Sequence, residues 1–261
     1  MASDAFTRLR TTDFRGWVLP LLLLVSWEYT TALQWVDTRI IPSPLLVLET
    51  AWQWLISGQL VASLISSLWR DIAGFSLGSL IGISVGLALG ISKVTNRIAG
   101  PTFHTLKHIS LFAWIPLLTA FFGREDLAKV VFITFSTLYP VALGTLEGVR
   151  GIPLSQLEVA RVYGFNSRQT LFRLVLPAAS PQILSGLHLG LIYAWLATIG
   201  GEFLMPSVGE GIGFTVIRGR ASFHIEQIIF GMLIIGGIGY LFNHLATRLE
   251  TRLLHWRGRP S

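Results

Sequence analysis

The sequence predicts an all-α membrane protein with six transmembrane helices, and composition, hydropathy and segment length support this prediction. Of its 261 residues, 52% are hydrophobic and only 13% are charged, whereas soluble domains carry about 25% charged residues. The mean hydropathy is +0.61. Several uncharged stretches reach the roughly 20 apolar residues that a membrane-spanning helix needs. An ordinary soluble domain is therefore excluded.

Six segments are long and apolar enough to cross a bilayer, at about 1.5 Å of helix rise per residue. The second and the sixth are the clearest, because each is an uncharged run of 21 residues. The fifth is expected to begin beyond Pro181, since prolines disfavour the interior of a helix. The first and third each hold one charged residue, and the fourth holds Pro140. The predicted spans are 17–35, 72–92, 101–122, 130–146, 183–203 and 227–247.

The distribution of lysine and arginine predicts how the chain is oriented. An even number of spans puts both termini on one side, and loops rich in basic residues face the cytoplasm. One set of alternate loops, which includes both termini, carries 13 basic residues, and the other set carries six. Both termini are therefore predicted to be cytoplasmic. The six residues assigned to the external side are Arg39, Arg70, Arg124, Lys129, Arg218 and Arg220.

Two features between and within the spans predict local structure. The apolar stretch Leu45 to Ile56 is too short to cross, so we expect a helix at the membrane interface. In the second span, glycine recurs at every fourth position from Gly74 to Gly90. Such a stripe lets a neighbouring helix approach closely. Static packing is the preferred interpretation, and a moving seam is the alternative.

The longest predicted cytoplasmic loop covers residues 147–182 and has the pattern of a helix, a turn and a helix. Leu154 to Tyr163 is predicted to form a short amphipathic helix, which Gly164 can end. A second helix is expected to start beyond Asn166 and Ser167, which are residue types that favour helix N-termini. Three arginines supply cationic groups. The loop is therefore predicted to protrude and to dock on a soluble partner.

This loop resembles the cytoplasmic loop of the membrane subunits of ATP-binding cassette (ABC) importers. Their pattern is Glu-Ala-Ala, three residues, Gly, nine residues and Ile-x-Leu-Pro, and the spacing here is the same. The matching residues are Glu158, Val159, Ala160, Arg161, Gly164, Leu174, Leu176 and Pro177, with Val159 and Leu174 as apolar exchanges. The resemblance extends over almost the whole chain, and the sequence is most similar to permeases for aliphatic sulfonates, taurine, nitrate and bicarbonate. Further support comes from Ile40 to Pro44, Ala113 to Leu117 and Gly211 to Gly213.

The resemblance implies a single type I ABC importer transmembrane domain over residues 1–261, in the bacterial cytoplasmic (inner) membrane. The chain would form the translocation pathway and would pair with a second copy of itself. Two cytoplasmic ATPase subunits would use ATP and Mg, and an external solute-binding protein would deliver the solute. The matching loop residues would couple this chain to the ATPase. Aliphatic sulfonate is the favoured solute, with nitrate, bicarbonate or taurine as alternatives, and a stand-alone secondary transporter or channel is the rival class.

Ionisable groups within spans are costly and are therefore candidates for the pathway. Lys107 would attract an anion or extend to the lipid headgroups, whereas Glu202 suits gating or inter-subunit hydrogen bonding better than anion binding. The full set of pathway candidates is Lys107, His108, Trp114, Tyr139, Tyr193, Trp195 and Glu202. His104 and His108 lie one helical turn apart without an evident third ligand, so no metal site is predicted.

No enzymatic signature or cofactor site is evident in the sequence. No lysine follows a glycine, which excludes the phosphate-binding loop of ATPases. The chain contains no cysteine, and its serines, histidines and aspartates form no nucleophile motif. The basic residues lie between the apolar runs rather than in one patch, so the net charge of +6 does not indicate nucleic-acid binding. We therefore expect a non-catalytic chain without its own cofactor.

Overall fold

The computed structural model describes residues 15–37, 40–123, 125–205 and 210–254. All regular structure within these ranges is helical, which confirms the all-α prediction. A 3₁₀ turn, Leu111–Trp114, precedes α5, and a π-helical segment, Thr170–Val175, joins α8 to α9. The helices are α1 (Arg15–Ala32), α2 (Pro44–Ile56), α3 (Gln59–Ile91), α4 (Lys93–Leu106), α5 (Ile115–Phe122), α6 (Asp126–Arg150), α7 (Leu154–Val162), α8 (Ser167–Gln169), α9 (Leu176–Leu204), α10 (Ile212–Ala221) and α11 (Ile225–Leu253).

Four continuous helical stretches are long and apolar enough to span a membrane: α3, α6, residues 167–204 and α11. They contain the predicted spans 130–146, 183–203 and 227–247 completely, and the predicted span 72–92 except for its last residue, because α3 ends at Ile91. The apolar part of α1, Val18–Ala32, falls below the length of these four. By length and composition, the described residues thus supply four spans, or five if α4 and the following bent segment count together.

The interval 101–122 was predicted as one span, but the structure breaks it. Helix α4 ends at Leu106, and the segment Leu111–Phe122 leaves at an angle of 94°. Pro116 suits the start of α5 beyond the break, because proline has no N–H for the helical ladder and fits best in the first turn of a helix. It lies in the first turn of α5. Residues 107–110 therefore form a non-helical corner inside the predicted span.

The packing of α3 against α6 shows that the chain must run back along the bundle between them. Gly74 lies against Ile133, and Gly90 lies against Val149, so the two helices run in the same direction. The end of α3 and the start of α6 are therefore at opposite ends of the bundle. Residues 92–125 make the return, which gives the bent α4 and α5 segment the role of a broken span.

The glycine stripe of α3 is a tightly packed helix contact. A Cβ atom added to Gly78 would lie 2.6 Å from the carbonyl oxygen of Thr134, and one at Gly86 would lie 2.5 Å from that of Ala142. Neither position can hold a side chain without moving α6. The close approach expected from a small-residue stripe is thus observed, which supports the packing interpretation.

Helix α9 packs antiparallel to both α6 and α11, which defines two ends of the bundle. Gly148 of α6 lies against Ala179 near the start of α9. Ser185 donates a hydrogen bond to Glu250 near the end of α11 at 3.2 Å. We call the end that carries α7 and residues 163–175 the loop end, and the opposite end, where α3, α6 and α11 begin, the far end. Helix α2 lies at the far end, where Trp54 contacts Phe230 with ring centroids 6.5 Å apart.

Candidate functional site

The predicted helix-turn-helix of the large loop forms as expected and is seated on the bundle by apolar side chains. Helix α7 covers Leu154–Val162, against a prediction of Leu154 to Tyr163. Its Ala160 is only 5% exposed, and Leu157 packs on a buried cluster that contains Val149 of α6 and Val175. That cluster continues into α9 through Ala179 and Ile183. One face of α7 is therefore fixed to the ends of α6 and α9.

Gly164 ends α7 in the conformation for which glycine is required. Its φ angle is +68°, in the left-handed region that most side chains avoid. The Gly164 N–H donates to the Arg161 carbonyl at 2.9 Å, and the Phe165 N–H donates to the Ala160 carbonyl at 3.0 Å. These two bonds form a Schellman motif, which satisfies carbonyl groups left open at the helix end. The turn is thus defined by local hydrogen bonds.

The second part of the loop begins with a capping box at Asn166. The Asn166 side chain accepts from the Gln169 N–H at 2.8 Å, and the Gln169 side chain accepts from the Asn166 N–H at 2.9 Å. The backbone N–H groups of Asn166 and Gln169, which would otherwise lack a partner at the helix start, are therefore both hydrogen-bonded. The chain then passes through the π-helical segment into α9, where Pro177 lies in the first turn. A rigid connection therefore runs from α7 into a spanning helix.

The opposite face of α7 exposes large apolar side chains together with charged ones. Leu154, Val162 and Tyr163 are 75%, 86% and 76% exposed, and Glu158 and Arg161 are also exposed. Exposed apolar clusters with polar neighbours are typical of protein interfaces. We call these five residues, together with Val159, the docking face. Of the other predicted coupling residues, Gly164 and Pro177 are exposed, Leu174 and Leu176 are half-buried, and Ala160 is buried.

A second site is a half-open cavity of about 330 Å³ between the α4–α5 corner, α6 and α9, where Ile109, Leu189 and Tyr193 are 43%, 47% and 47% exposed. Four of the seven predicted pathway residues, Lys107, Trp114, Tyr139 and Tyr193, line it. The remaining lining residues are mostly apolar: Ile109, Leu111, Phe135, Ser136, Pro140, Leu143 and Leu189. The structure therefore brings together candidates from three separate parts of the sequence.

The other three predicted pathway residues lie elsewhere. His108 is exposed and does not line the cavity. The indole Nε1 of Trp195 donates to the Ile235 carbonyl at 3.1 Å, which makes this side chain a link between α9 and α11. Glu202 is buried at the far end, away from the cavity. Among the described residues, no three His, Asp or Glu side chains are close enough to share a metal ion.

Glu202 belongs to a buried ionic cluster that the sequence analysis missed. Arg70 was assigned to an external loop, but it lies inside α3 and is only 2% exposed, because three acceptors surround its guanidinium group. It donates to Glu202 Oε1 at 2.5 Å, to Asp126 Oδ1 at 2.7 Å and to the Glu210 carbonyl at 2.5 Å. Lys129, also assigned to an external loop, is 4% exposed within α6. Arg39 and Arg124 lie outside the described residues.

The Gly211-Ile212-Gly213 stretch folds around the Glu202 carboxylate. The Gly213 N–H donates to Glu202 Oε2 at 2.8 Å, and Ser67 Oγ donates to Oε1 at 2.7 Å. Ser67 also accepts from the Ile212 N–H at 3.0 Å. A Cβ atom at Gly211 would lie 2.6 Å from the Glu202 carboxyl carbon, so only glycine fits there. The start of α10 is therefore fixed to α3 and α9 through one carboxylate.

The register of the glycine stripe is the signal that would have located Arg70. Counting back four residues from Gly74 reaches Arg70, and the same face of α3 holds the buried Ser67. A residue in register with a packed stripe faces the neighbouring helix, whatever its charge. Asp71 beside it is also buried and accepts a hydrogen bond from Thr198 Oγ1 at 2.8 Å. The hydrogen bonds of Glu202 lie within this chain, and its role in gating or inter-subunit hydrogen bonding stays a prediction.

Comparison with known proteins identifies relatives over most of the chain. Residues 78–256 match the family described as binding-protein-dependent transport system inner membrane component. An aliphatic sulfonates transport permease protein of Bacillus subtilis is 31% identical over 250 residues, which is 96% of this chain and 90% of that protein. A bicarbonate transport system permease protein of Synechococcus elongatus is 34% identical over 190 residues, which is 73% of this chain and 68% of that protein.

The fold also has a counterpart among solved structures. A chain of the MetNI methionine ABC transporter, in an inward-facing conformation, superimposes with a TM-score of 0.65 at 18% sequence identity. The match covers 74% of this chain and 95% of that chain. The likeness establishes the shared architecture of a multi-pass helical membrane protein. The sequence and fold together place this chain in the family of binding-protein-dependent transport system inner membrane components, the non-catalytic permease subunits of ABC importers.

Proposed function

We propose that this chain is the translocation-pathway subunit of an ATP-driven importer for a small anionic solute, with aliphatic sulfonate as the favoured solute. The relative named for aliphatic sulfonates aligns with 96% of this chain, whereas the one named for bicarbonate aligns with 73%. Nitrate, bicarbonate and taurine are the alternative solutes for the same mechanism. The family membership and the docking face favour this class over a stand-alone secondary transporter or channel.

The observation that carries the proposal is the position of the docking face on a rigid extension of α6 and α9. Leu157 and Ala160 seat α7 on the loop ends of these two helices. The same two helices carry Tyr139 and Tyr193, which line the cavity. A partner that pulls on α7 would therefore move the walls of the cavity directly. This is the path by which closure of an ATPase would reach the solute pathway.

The proposal includes the partners that this mechanism requires. Two cytoplasmic ATPase subunits would bind and hydrolyse ATP with Mg and would contact the docking face. A second copy of this chain would complete the pathway, and an external solute-binding protein would deliver the anion at the far end. The loop end would face the cytoplasm of a bacterium, both chain termini would lie on that side of the membrane, and the bundle would lie in its inner membrane. Exposed arginines on the docking loop suit contacts with carboxylates of such a partner.

The test is uptake of labelled ethanesulfonate into vesicles that contain the chain, its ATPase and its binding protein. Val162→Asp places a charge on the exposed apolar part of the docking face. We expect it to reduce ATPase copurification and uptake by at least tenfold, with the unfolding temperature unchanged. Phe223→Asp is the matched control for ATPase copurification, because Phe223 is 85% exposed at the opposite, far end. Uptake that needs no ATPase, or normal coupling in Val162→Asp, would contradict the proposal.

A further inference from the structure

The corner between α4 and α5 forms part of the wall of the 330 Å³ cavity. Residues 107–110 are non-helical, and Lys107 and Ile109 of this corner are lining residues. The N–H groups of Lys107, His108 and Ile109 donate back to carbonyls of α4, so the last turn of that helix closes at the corner. Irregular backbone at membrane depth is tolerated where it is buried in protein or lines a cavity. Broken spanning helices accordingly mark solute sites in many transporters. The corner thus has the structure expected beside a solute.

The lining of the cavity combines one positive charge with a mainly apolar surface. Lys107 is the only charged residue among the lining residues, and no ion pair with another described residue involves its ammonium group. The hydroxyl groups of Tyr139 and Tyr193 make no hydrogen bond to other described residues, so both are free to donate to a ligand. Trp114 and Phe135, which contact each other with centroids 5.4 Å apart, supply an aromatic wall.

We propose that this cavity is a solute site within the permease itself, which selects organic monoanions that carry an apolar tail. The ammonium of Lys107 and the free tyrosine hydroxyls bind the oxyanion headgroup. The alkyl tail lies against Trp114 and Phe135. This inference rests on the proposed function and adds a second selection step, independent of any solute-binding protein. An alkanesulfonate of several carbons is the ligand class that meets both halves of the site.

The size of the cavity argues against a small inorganic anion. A volume of about 330 Å³ is many times the roughly 10–15 Å³ that one water needs by the same measure. Nitrate or bicarbonate would fill a minor part and would leave the aromatic wall wet. Each methylene removed from water contributes about 0.8 kcal/mol, which is a factor of three to four in affinity. The affinity of alkanesulfonates should therefore rise with chain length until the cavity is full.

The alternative role of Lys107 is purely structural. It is the C-cap residue of α4, and a cation at a helix C-terminus interacts favourably with the helix dipole. A helix-capping lysine acts in the folded protein without any solute, and it would not bind one anion more tightly than another. Chain-length dependence is therefore the property that separates a solute site from a helix cap.

The experiment is calorimetric titration of the full-length chain, assembled with its ATPase in lipid nanodiscs, with ethane-, butane- and hexanesulfonate and with nitrate. Empty nanodiscs correct for partition of the longer sulfonates into lipid. We expect affinity to rise about threefold to fourfold per methylene, and nitrate to bind at least tenfold more weakly than butanesulfonate. Equal affinities for all four anions, or no binding beyond that of empty nanodiscs, would overturn the proposal.

Variants separate the headgroup site from the tail site. Lys107→Met should lower the affinity for every sulfonate at least tenfold. Lys107→Arg should bind sulfonates with an affinity within about threefold of that of the wild-type chain. Phe135→Ala should flatten the dependence on chain length while ethanesulfonate binding changes little. Lys93→Met, at an exposed lysine outside the cavity, is the control for loss of one charge. Unchanged binding in Lys107→Met would overturn the proposal, and the arginine and alanine variants decide the matter if the methionine variant does not fold.

The binding measurement needs neither ATP nor a binding protein, so its outcome is separate from that of the transport assay. Sulfonate binding that follows this pattern, without ATP-driven uptake, would contradict the proposed function alone. ATP-driven uptake of ethanesulfonate that persists in Lys107→Met, with no measurable binding to the wild-type chain, would contradict the solute site alone.

Discussion

The buried ionic cluster at the far end provides a prediction about stability. Arg70→Met removes the cation that contacts Glu202 and Asp126, and it leaves the 2% exposed Glu202 carboxylate without this ion pair. Breaking a buried ion pair by removal of one partner costs about 3–5 kcal/mol. Glu202 keeps its bonds from Ser67 and Gly213, so we place the loss near the lower value, about 3 kcal/mol.

The assay is reversible unfolding in mixed micelles, combined with hydrogen exchange at the start of α10. Arg70→Met should lower the free energy of unfolding by about 3 kcal/mol. Hydrogen exchange at the Ile212 and Gly213 amides should become faster, because the weakened cluster opens more often. Arg220→Met is the control, because Arg220 is an exposed arginine on α10 and should change stability by at most about 0.5 kcal/mol.

A double-mutant cycle tests whether Arg70 and Glu202 act as a pair. Glu202→Gln alone leaves the Arg70 cation buried with Asp126 as its remaining carboxylate partner. Adding Glu202→Gln to Arg70→Met removes the unpaired charge. The loss of unfolding free energy in the double variant should therefore be smaller than the sum of the two single losses, by about 1–3 kcal/mol. Strict additivity, or an effect of Arg70→Met no larger than that of Arg220→Met, would refute this explanation of the cluster.

Three further predictions concern other contacts. Gly78→Ala should lower the unfolding free energy by more than about 2 kcal/mol, because the added Cβ would overlap α6. Gly236→Ala should not lower it, because the space around Gly236 is open. Thermal unfolding of the two variants makes the comparison. Gly164→Ala should weaken ATPase binding severalfold in a copurification titration because of the left-handed backbone, and Gly164→Asn should weaken it less. Trp195→Phe should cost about 1 kcal/mol for one lost hydrogen bond, measured by unfolding, and should leave sulfonate uptake unchanged. Equal losses of stability in Gly78→Ala and Gly236→Ala, or equal losses of ATPase binding in Gly164→Ala and Gly164→Asn, would contradict these assignments. Loss of uptake in Trp195→Phe would do so too.

Local structure was predictable where the determining groups are neighbours in sequence. The capping residue Ser43 and Pro44 fix the start of α2, which was predicted to begin one residue later. Gly164 and Asn166 fix the turn after α7 through bonds that span no more than five residues. Such signals do not depend on tertiary contacts, so the loop was predicted with the correct order of helix, turn and helix.

The sites depend on contacts that are distant in sequence, and these were predicted only in part. Arg70 was treated as a loop residue because an isolated charge seldom lies within a packed helix, but its partner Glu202 is 132 residues away. The four pathway residues around the cavity were selected individually, by type and by predicted span, and only the fold shows that they share one space. The corner at 107–110 was missed because apolar composition alone does not distinguish a straight span from a broken one.

The central claim, that the docking face is held by an ATPase, is tested most directly by cross-linking. The chain has no cysteine, so single cysteines can be introduced without background. Tyr163→Cys, labelled with a maleimide–benzophenone reagent and irradiated in inner-membrane vesicles, should form a cross-link to the ATPase subunit, because benzophenone inserts into C–H bonds and needs no second thiol, and its yield should change when ATP is bound. Phe223→Cys, at the far end, should give none. Equal yields from the two positions, or no cross-link from Tyr163→Cys in a complex that still transports, would contradict the claim.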